Sequence, residues 1–304
     1  MTDAHQQQVE AALDTLLAEH DPTTESYEEF RGHQFDAGLA WVQYPEGHGG
    51  MGLPPQLQCV VNRRLAEAGA PSMNAAHFFI ALAGPTIVTH GTEEQKQRFL
   101  RPMFTGEDVW CQLFSEPGAG SDFAGLACKA VQDGDEWVVN GQKVWNTSAD
   151  HADMGILVAR TDWDAVKHAG LSYFVIDMHQ DGVETRPIEQ MNYHNSFNEV
   201  FLTDARVPHE NMVGEEGDGW KVARGTLAHE RSFSTAREVH FEPDASGRVI
   251  DEARAEAAEY LRTYEWYPQR MGRSDLVEER ARVTGAVADP VVRDQMMRLL
   301  GFHS

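Results

Sequence analysis

The sequence predicts an α+β fold: an N-terminal helical domain over residues 1–106, a middle antiparallel β domain over 107–212 and a further helical domain over 213–304. Three observations carry that expectation. Apolar residues recur at helical spacing through the first third, short β-branched and aromatic runs split by Gly, Asp and Asn fill the middle, and helical spacing returns after Pro208. Helices, a compact β domain, then helices again is an unusual order for a single core. It implies a middle domain between two helical bodies, with a cleft where they meet, and such clefts are preferred ligand sites.

Val9, Leu13, Leu16 and Leu17 mark the first helix by their spacing. Pro54 opens a second periodic stretch with Leu57, Val60, Val61 and Leu65, as suits a proline at a helix start. Between the two, the glycines of residues 44–52 mark a tight loop. Thr92 followed by Gln95 reads as a capping box ahead of Phe99 and Leu100. In the middle third, Trp137-Val138-Val139 and the runs at 155–159 and 173–176 read as strands. Asp133-Gly134 and Asn140-Gly141 each suit a type I′ hairpin turn, which needs positive φ. Helical texture resumes at Trp220-Lys221-Val222-Ala223 and runs through Leu227. The stretch 237–289, rich in Asp, Glu, Arg and Ala, reads as solvated helices and loops. An amphipathic run at 289–300 follows, with Val291, Val292, Met296, Leu299 and Leu300 apolar, and it calls for helical partners.

Composition excludes several functions. The 304 residues hold 25 basic and 48 acidic side chains, a net charge of -23. That balance lacks the clustered Lys and Arg of a nucleic-acid binder and disfavours an anionic membrane surface. Cys59, Cys111 and Cys128 are far apart without CxxC spacing, so neither a disulfide framework nor a zinc site is expected, and a reducing cytoplasm is the default. Residues 1–21 lack the basic and apolar blocks of a secretory signal, and no apolar run reaches the roughly 18 residues of a membrane span. The histidines show no HExxH-like spacing, His194 in its polar loop included, so no metal is expected.

Three blocks carry the chemistry. In Trp110 to Asp122, a strand runs into a turn of Pro117, Gly118 and Gly120, where backbone N–H groups can approach a planar or anionic ligand and Ser115 and Ser121 add hydroxyls. The glycines alone also suit an ordinary strand-to-loop turn. In Asn140 to Ser148, Trp145 and Thr147 fall on one side of a strand, so one can lie against a ring system while the other donates to its polar edge. A lone strand Trp also suits a core. In Gly225 to Ser232, Glu230 and Arg231 are neighbours on a helix, diverge by about 100° and could be no more than solvated charges.

Taken together, Ser-Glu-Pro-Gly-Ala-Gly-Ser-Asp at 115–122, Asn-Gly-Gln-Lys-Val-Trp-Asn-Thr at 140–147 and the Val207-Pro208, Asn211, Gly214, Gly217, Gly219-Trp220 run resemble the acyl-CoA dehydrogenase family. The loop 45–52 and the helix start at 91–96 are similar to its N-terminal domain, all in one order across residues 27–235. The resemblance implies FAD, with Leu113, Phe114, Ser115, Gly120 and Ser121 as contacts and Ser121 also touching the acyl-CoA. It implies that Trp145, Asn146 and Thr147 flank the isoalloxazine ring, with Thr147 the donor to its N5 edge. Glu230 resembles the base of the isovaleryl-CoA and long-chain types, and Arg231 the arginine beside the substrate.

The implied reaction is α,β-dehydrogenation of an acyl-CoA thioester to the trans-2-enoyl-CoA, Glu230 taking the α proton, hydride passing to flavin N5 and electrons onward to an electron-transfer flavoprotein. Abstraction beside a thioester needs a positioned carboxylate and stabilisation of the enolate oxygen. A homo- or hetero-oligomer is implied as well. Members of the family continue through a four-helix C-terminal bundle, of which residues 213–304 resemble the start, so a fragment, or a chain completed by another polypeptide, is expected. The charged connection at 237–289 and the Leu-Ala-His-Glu-Arg run are more similar to the actinobacterial hetero-oligomeric members of sterol side-chain breakdown. Two alternatives stand beside the dehydrogenase: a non-catalytic or truncated partner subunit, and an acyl-CoA oxidase.

Overall fold

The structure, a computed structural model, describes residues 3–70, 80–191, 196–235, 282 and 285–301. The chain divides into two compact units, Met1–Ser234 and Thr235–Ser304. Among the described residues no helix is long and apolar enough to cross a membrane. His194 and most of the charged stretch 237–289 lie outside the described residues.

The first unit opens with α1 (Asp3–Glu19), α2 (Tyr27–Asp36), a short 3-10 turn (Pro55–Leu57) and α3 (Gln58–Glu67). Val9, Leu13 and Leu16 of α1 close on Leu57, Val61 and Leu65, all selected by the helical spacing, and on Phe30 of α2, which it does not select. In the loop between α2 and the 3-10 turn, a Cβ on Gly50 would lie 2.2 Å from the Tyr44 carbonyl oxygen, so the tight path admits only glycine there. Next come α4 (Ile80–His90) and α5 (Glu93–Thr105). The capping box of α5 forms as its spacing predicts: Gln95 N donates to Thr92 Oγ1 at 3.2 Å and Thr92 N to Gln95 Oε1 at 3.1 Å. Gln95 Nε2 also donates to Glu210 O and Met212 O, which ties the helix start to the segment that follows the last strand of the β domain.

That domain is a seven-stranded sheet of β1 (Trp110–Leu113), β2 (Lys129–Asp133), β3 (Glu136–Thr147), β4 (Met154–Arg160), β5 (Leu171–Asp177), β6 (Val183–Ile188) and β7 (Phe197–Pro208). The order is β1-β4-β2-β3-β7-β6, with β5 on β4. Pairing is mainly antiparallel, but β1 runs parallel to β4, and β2 meets β4 in parallel at Lys129 and Arg160. Strands β4 and β5 are covered on both faces. Ile156, Val158, Tyr173 and Val175 face a core shared with α4 and α5, while Leu157, Ala159, Phe174 and Ile176 face a second core closed by β2, β3 and β7. Val222 and Ala223 of α6 (Gly219–Thr235) join the first core.

Both expected hairpin turns differ in detail. At β2–β3 the turn residues are Gly134 and Asp135, and of these Gly134 alone has positive φ (64°), so the type I′ turn is not formed. Asn140-Gly141 is not a turn: β3 runs through it with a register shift between Val139 and Gly141. Its chemistry serves a bulge, for Asn140 Nδ2 donates to Asp204 Oδ1 at 3.0 Å, Asp204 N donates back to Asn140 Oδ1 at 2.9 Å, and a Cβ on Gly141 would lie 2.8 Å from Cys128 Cα.

In the second unit a 3-10 turn (Ala286–Ala288) leads into α7 (Pro290–Gly301), the amphipathic run of the sequence. Asp289 Oδ1 accepts from Val291 N at 2.8 Å and Pro290 takes the first helical position, so the start is capped as such sequences allow.

Candidate functional site

The turn after β1 is closed by two reciprocal bonds, Glu116 N to Ala119 O and Ala119 N to Glu116 O, both 3.0 Å. A Cβ added to Gly118 or Gly120 would meet nothing within 4 Å. Packing among the described residues therefore does not require these glycines; they keep a face of the turn clear of side chains, as close approach by a ligand requires. Ser115 is half-buried at this edge, and Gly120 and Ser121 are exposed. Leu113 and Phe114 are buried, at 0% and 4% exposure, in the two opposite cores of the sheet. Any contact these two residues make at the edge is made by backbone.

The second block ends β3 in irregular backbone. Trp145 sits at a register shift between Val144 and Asn146 with φ 64°, and Ser148 has φ 57°. Left-handed backbone costs an L-residue about 1–2 kcal/mol, so the surroundings must impose it. Asn146, 2% exposed, does part of that, donating from Nδ2 to Gln112 O at 2.7 Å, while its own carbonyl accepts from Asn198 Nδ2 at 3.1 Å. Asn198 Nδ2 also donates to Asp150 Oδ1 at 3.0 Å. Among the described residues Asn146 Oδ1 is buried without a partner. Trp145 is 60% exposed, its ring edge-on to Phe197 at 6.0 Å, and Thr147 beyond it is half-buried. Trp145 and Thr147 thus stand at the rim while the Asn146 side chain serves the interior.

A pair that sequence reasoning passed over joins the two blocks. Lys143 is fully buried, and its ammonium donates to Glu116 Oε1 at 2.9 Å, Phe114 O at 3.1 Å and Val158 O at 2.8 Å. Glu116 accepts in addition from Ala127 N at 2.6 Å and Cys128 N at 2.9 Å. Next to this, Val144 N donates to Ser115 O at 2.9 Å. The signal was there in part: the first motif block holds the acidic Glu116 and Asp122 and the second the basic Lys143, but a charge beside a turn reads as solvated.

The third block lies on α6, which packs on the core that holds Phe114, Ala119 and Phe123. Trp220 stacks on Phe123 at 6.0 Å. Thr226 is buried, with its Oγ1 2.9 Å from Thr86 Oγ1 and 3.1 Å from Tyr173 OH, and burial pushes the Tyr173 hydroxyl pKa up. Tyr173 in turn meets Phe114 edge-on at 5.9 Å. No spacing rule in the sequence signals this hydroxyl cluster. Glu230, one turn beyond Thr226 on the same face, is half-buried. Arg231 diverges from it as the helix geometry demands, lining an open groove of about 520 Å3 with Trp220, Lys221, Arg224 and Leu227. Burial lowers the pKa of His229 and that of His90; the neighbouring His90 ring lowers the first further, and Lys221 lowers the second while Asp218 raises it.

Among the described residues one group offers metal-capable side chains together, His20, Glu25 and His33, with ligand atoms within 4.8 Å of one another. His20 Nδ1 lies 3.0 Å from Glu25 Oε1, and the two imidazoles stack at 3.5 Å and 14°. Stacked rings hold their lone pairs in parallel planes rather than aiming them at one point.

The helical domain, the curled sheet and the two joined motif blocks define a chain of the acyl-CoA dehydrogenase type. The family profiles described as acyl-CoA dehydrogenase, N-terminal domain, and acyl-CoA dehydrogenase, middle domain, match residues 1–107 and 111–205. The chain is 40% identical over 262 residues to acyl-CoA dehydrogenase IpdE1 of Mycobacterium tuberculosis, covering 86% of this chain and 60% of that protein. With acyl-CoA dehydrogenase FadE26 of the same organism the identity is 34% over 297 residues, 88% of this chain and 73% of the relative. A solved structure titled Tcur3481-Tcur3483 steroid ACAD matches with a TM-score of 0.57 and 26% identity, over 98% of this chain and 72% of that one. The chain belongs to the acyl-CoA dehydrogenase family, which is FAD-dependent. It spans 60% of the length of the Mycobacterium tuberculosis IpdE1 and 66% of that of Mycolicibacterium smegmatis.

Proposed function

We propose that the chain binds FAD between the 113–121 and 145–147 segments and takes part in α,β-dehydrogenation of an acyl-CoA thioester to the trans-2-enoyl-CoA. One observation carries the reading: a tryptophan held 60% exposed in left-handed backbone, directly after two residues, Lys143 and Val144, that hydrogen-bond to a turn whose glycines face open space. Exposed aromatic surface under backbone strain is costly in a folded chain and fits a wall for a flat ring. Trp145 supplies that wall, Thr147 and Ser115 donate at its rim, and Ser121 serves both cofactor and acyl-CoA. Bound FAD supplies the hydride acceptor for the substrate β carbon. Glu230 removes the α proton onto its carboxylate, and Arg231, in a cationic groove on an otherwise acidic chain, holds anionic substrate groups.

Electrons pass to an electron-transfer flavoprotein, and the chain works in a homo- or hetero-oligomer. Two solved structures that it resembles are titled as two-protein assemblies, Tcur3481-Tcur3483 and ChsE4-ChsE5. In this reading the chain is organised as 1–106, 107–212 and 213–304, and its three free cysteines suit a reducing cytoplasm. Glu230→Gln tests the assignment: with FAD bound, acyl-CoA-dependent dye reduction should fall by about 10²–10⁴-fold. Near-normal turnover in that variant means another carboxylate is the base. Hydrogen peroxide formation in place of dye reduction favours an oxidase.

A further inference from the structure

We propose that the buried Glu116–Lys143 ion pair is a positioning device that makes the turn after β1 and the bulged end of β3 move as one body. The coupling itself is independent of the FAD reading; what the coupled segments hold rests on it.

Lys143 has three N–H donors and, with no exposure to water, three acceptors: Glu116 Oε1, Phe114 O and Val158 O. Both oxygens of Glu116 are occupied in turn, by Lys143 and Cys128 N on one side and Ala127 N on the other. The network is therefore complete, the condition under which buried polar groups specify geometry. Stability does not explain the pair, because apolar residues of similar volume serve as well as or better than a buried ion pair. What apolar residues could not do is dictate where particular carbonyls sit. Lys143 fixes the Phe114 carbonyl and the Glu116 carboxylate, and Val144 N fixes the Ser115 carbonyl between them at 2.9 Å. Three successive residues leading into the turn are thus pinned by two successive residues of β3. The next residue of β3 is Trp145, left-handed and exposed. Any displacement of the turn is passed to the backbone that aims the indole, and a preorganised site is sensitive to shifts of that kind.

The test compares wild type with Glu116→Gln/Lys143→Met in the full chain, by thermal melting, amide hydrogen exchange without cofactor, and FAD titration with absorption spectra. The double variant leaves no unpaired charge, so it should melt near the wild-type temperature. Exchange should nevertheless quicken together in peptides covering 113–128 and 141–148, and the FAD dissociation constant should rise between about tenfold and a hundredfold, with a changed flavin absorption band. A folded double variant with wild-type exchange in both peptides and wild-type FAD affinity overturns the inference. If the double variant does not fold, Glu116→Asp decides, since it keeps the charge and shortens the arm: coupled loosening with weakened FAD supports the pair, and wild-type behaviour overturns it. A wild-type chain that takes up no FAD tells against the cofactor reading alone, because exchange in the two peptides still reports the coupling.

Discussion

The two halves of β3 are built by different means. Residues 136–139 pair with β2 on one edge and β7 on the other in unbroken register, and they send Trp137 and Val139 into an apolar core. Residues 141–147 keep β7 as a neighbour but meet the turn after β1, and they carry one register shift at their start and another at Trp145, a buried ammonium and a left-handed tryptophan. Hydrophobic burial holds the first half; polar bonds to a loop hold the second. Local rules fail together where the candidate site lies, as expected when strain and buried charge serve a site rather than the fold.

Three sets of substitutions sharpen or break that contrast. The largest effect belongs to Lys143→Met, which strands the Glu116 carboxylate in the interior and should cost about 3–5 kcal/mol. Val139→Ala in the regular half removes two buried carbons and should cost about 2 kcal/mol in the same urea-unfolding experiment. A smaller loss at Lys143 than at Val139 would mean that Glu116 is not sealed in a dry interior once its partner is removed. Gly141→Ala comes next, since its Cβ would press on Cys128 from 2.8 Å; overpacking of this kind costs about 1–3 kcal/mol. The smallest effect is one of sign. At Trp145 the glycine variant should be more stable than the alanine variant by about 1 kcal/mol, because only glycine takes φ 64° freely. At Val138 the order should reverse, with glycine worse by about 0.5–1 kcal/mol in a regular strand. The same order at both positions would remove the claim of stored strain.

What was legible in the sequence follows the range of the interactions. The α5 capping box needs only Thr92 and Gln95, and the apolar spacing of α1 and α6 needs only the helix period, so both appear in the chain as read. Asn140-Gly141 has the same local chemistry in a turn and in a bulge, and only its partner Asp204 on β7 decides between them. Lys143, flanked by Gln142 and Val144, gives no local sign of burial, because its three acceptors come from residues 114, 116 and 158. The Thr86, Tyr173 and Thr226 hydroxyls meet from three separate elements for the same reason. Within the candidate site the motif blocks placed the right segments, but not the division of labour among their residues. Leu113, Phe114 and Asn146 point into the protein, and Trp145 stands out from it.

In the proposed function the turn after β1 and the end of β3 form one cradle. Titrating FAD into the purified 304-residue chain, with Trp145→Gly in parallel, measures it most directly. Saturable binding of one flavin per chain that weakens sharply in Trp145→Gly, while that variant melts no lower than Trp145→Ala, is the predicted result. Wild-type binding that Trp145→Gly leaves unchanged would contradict it.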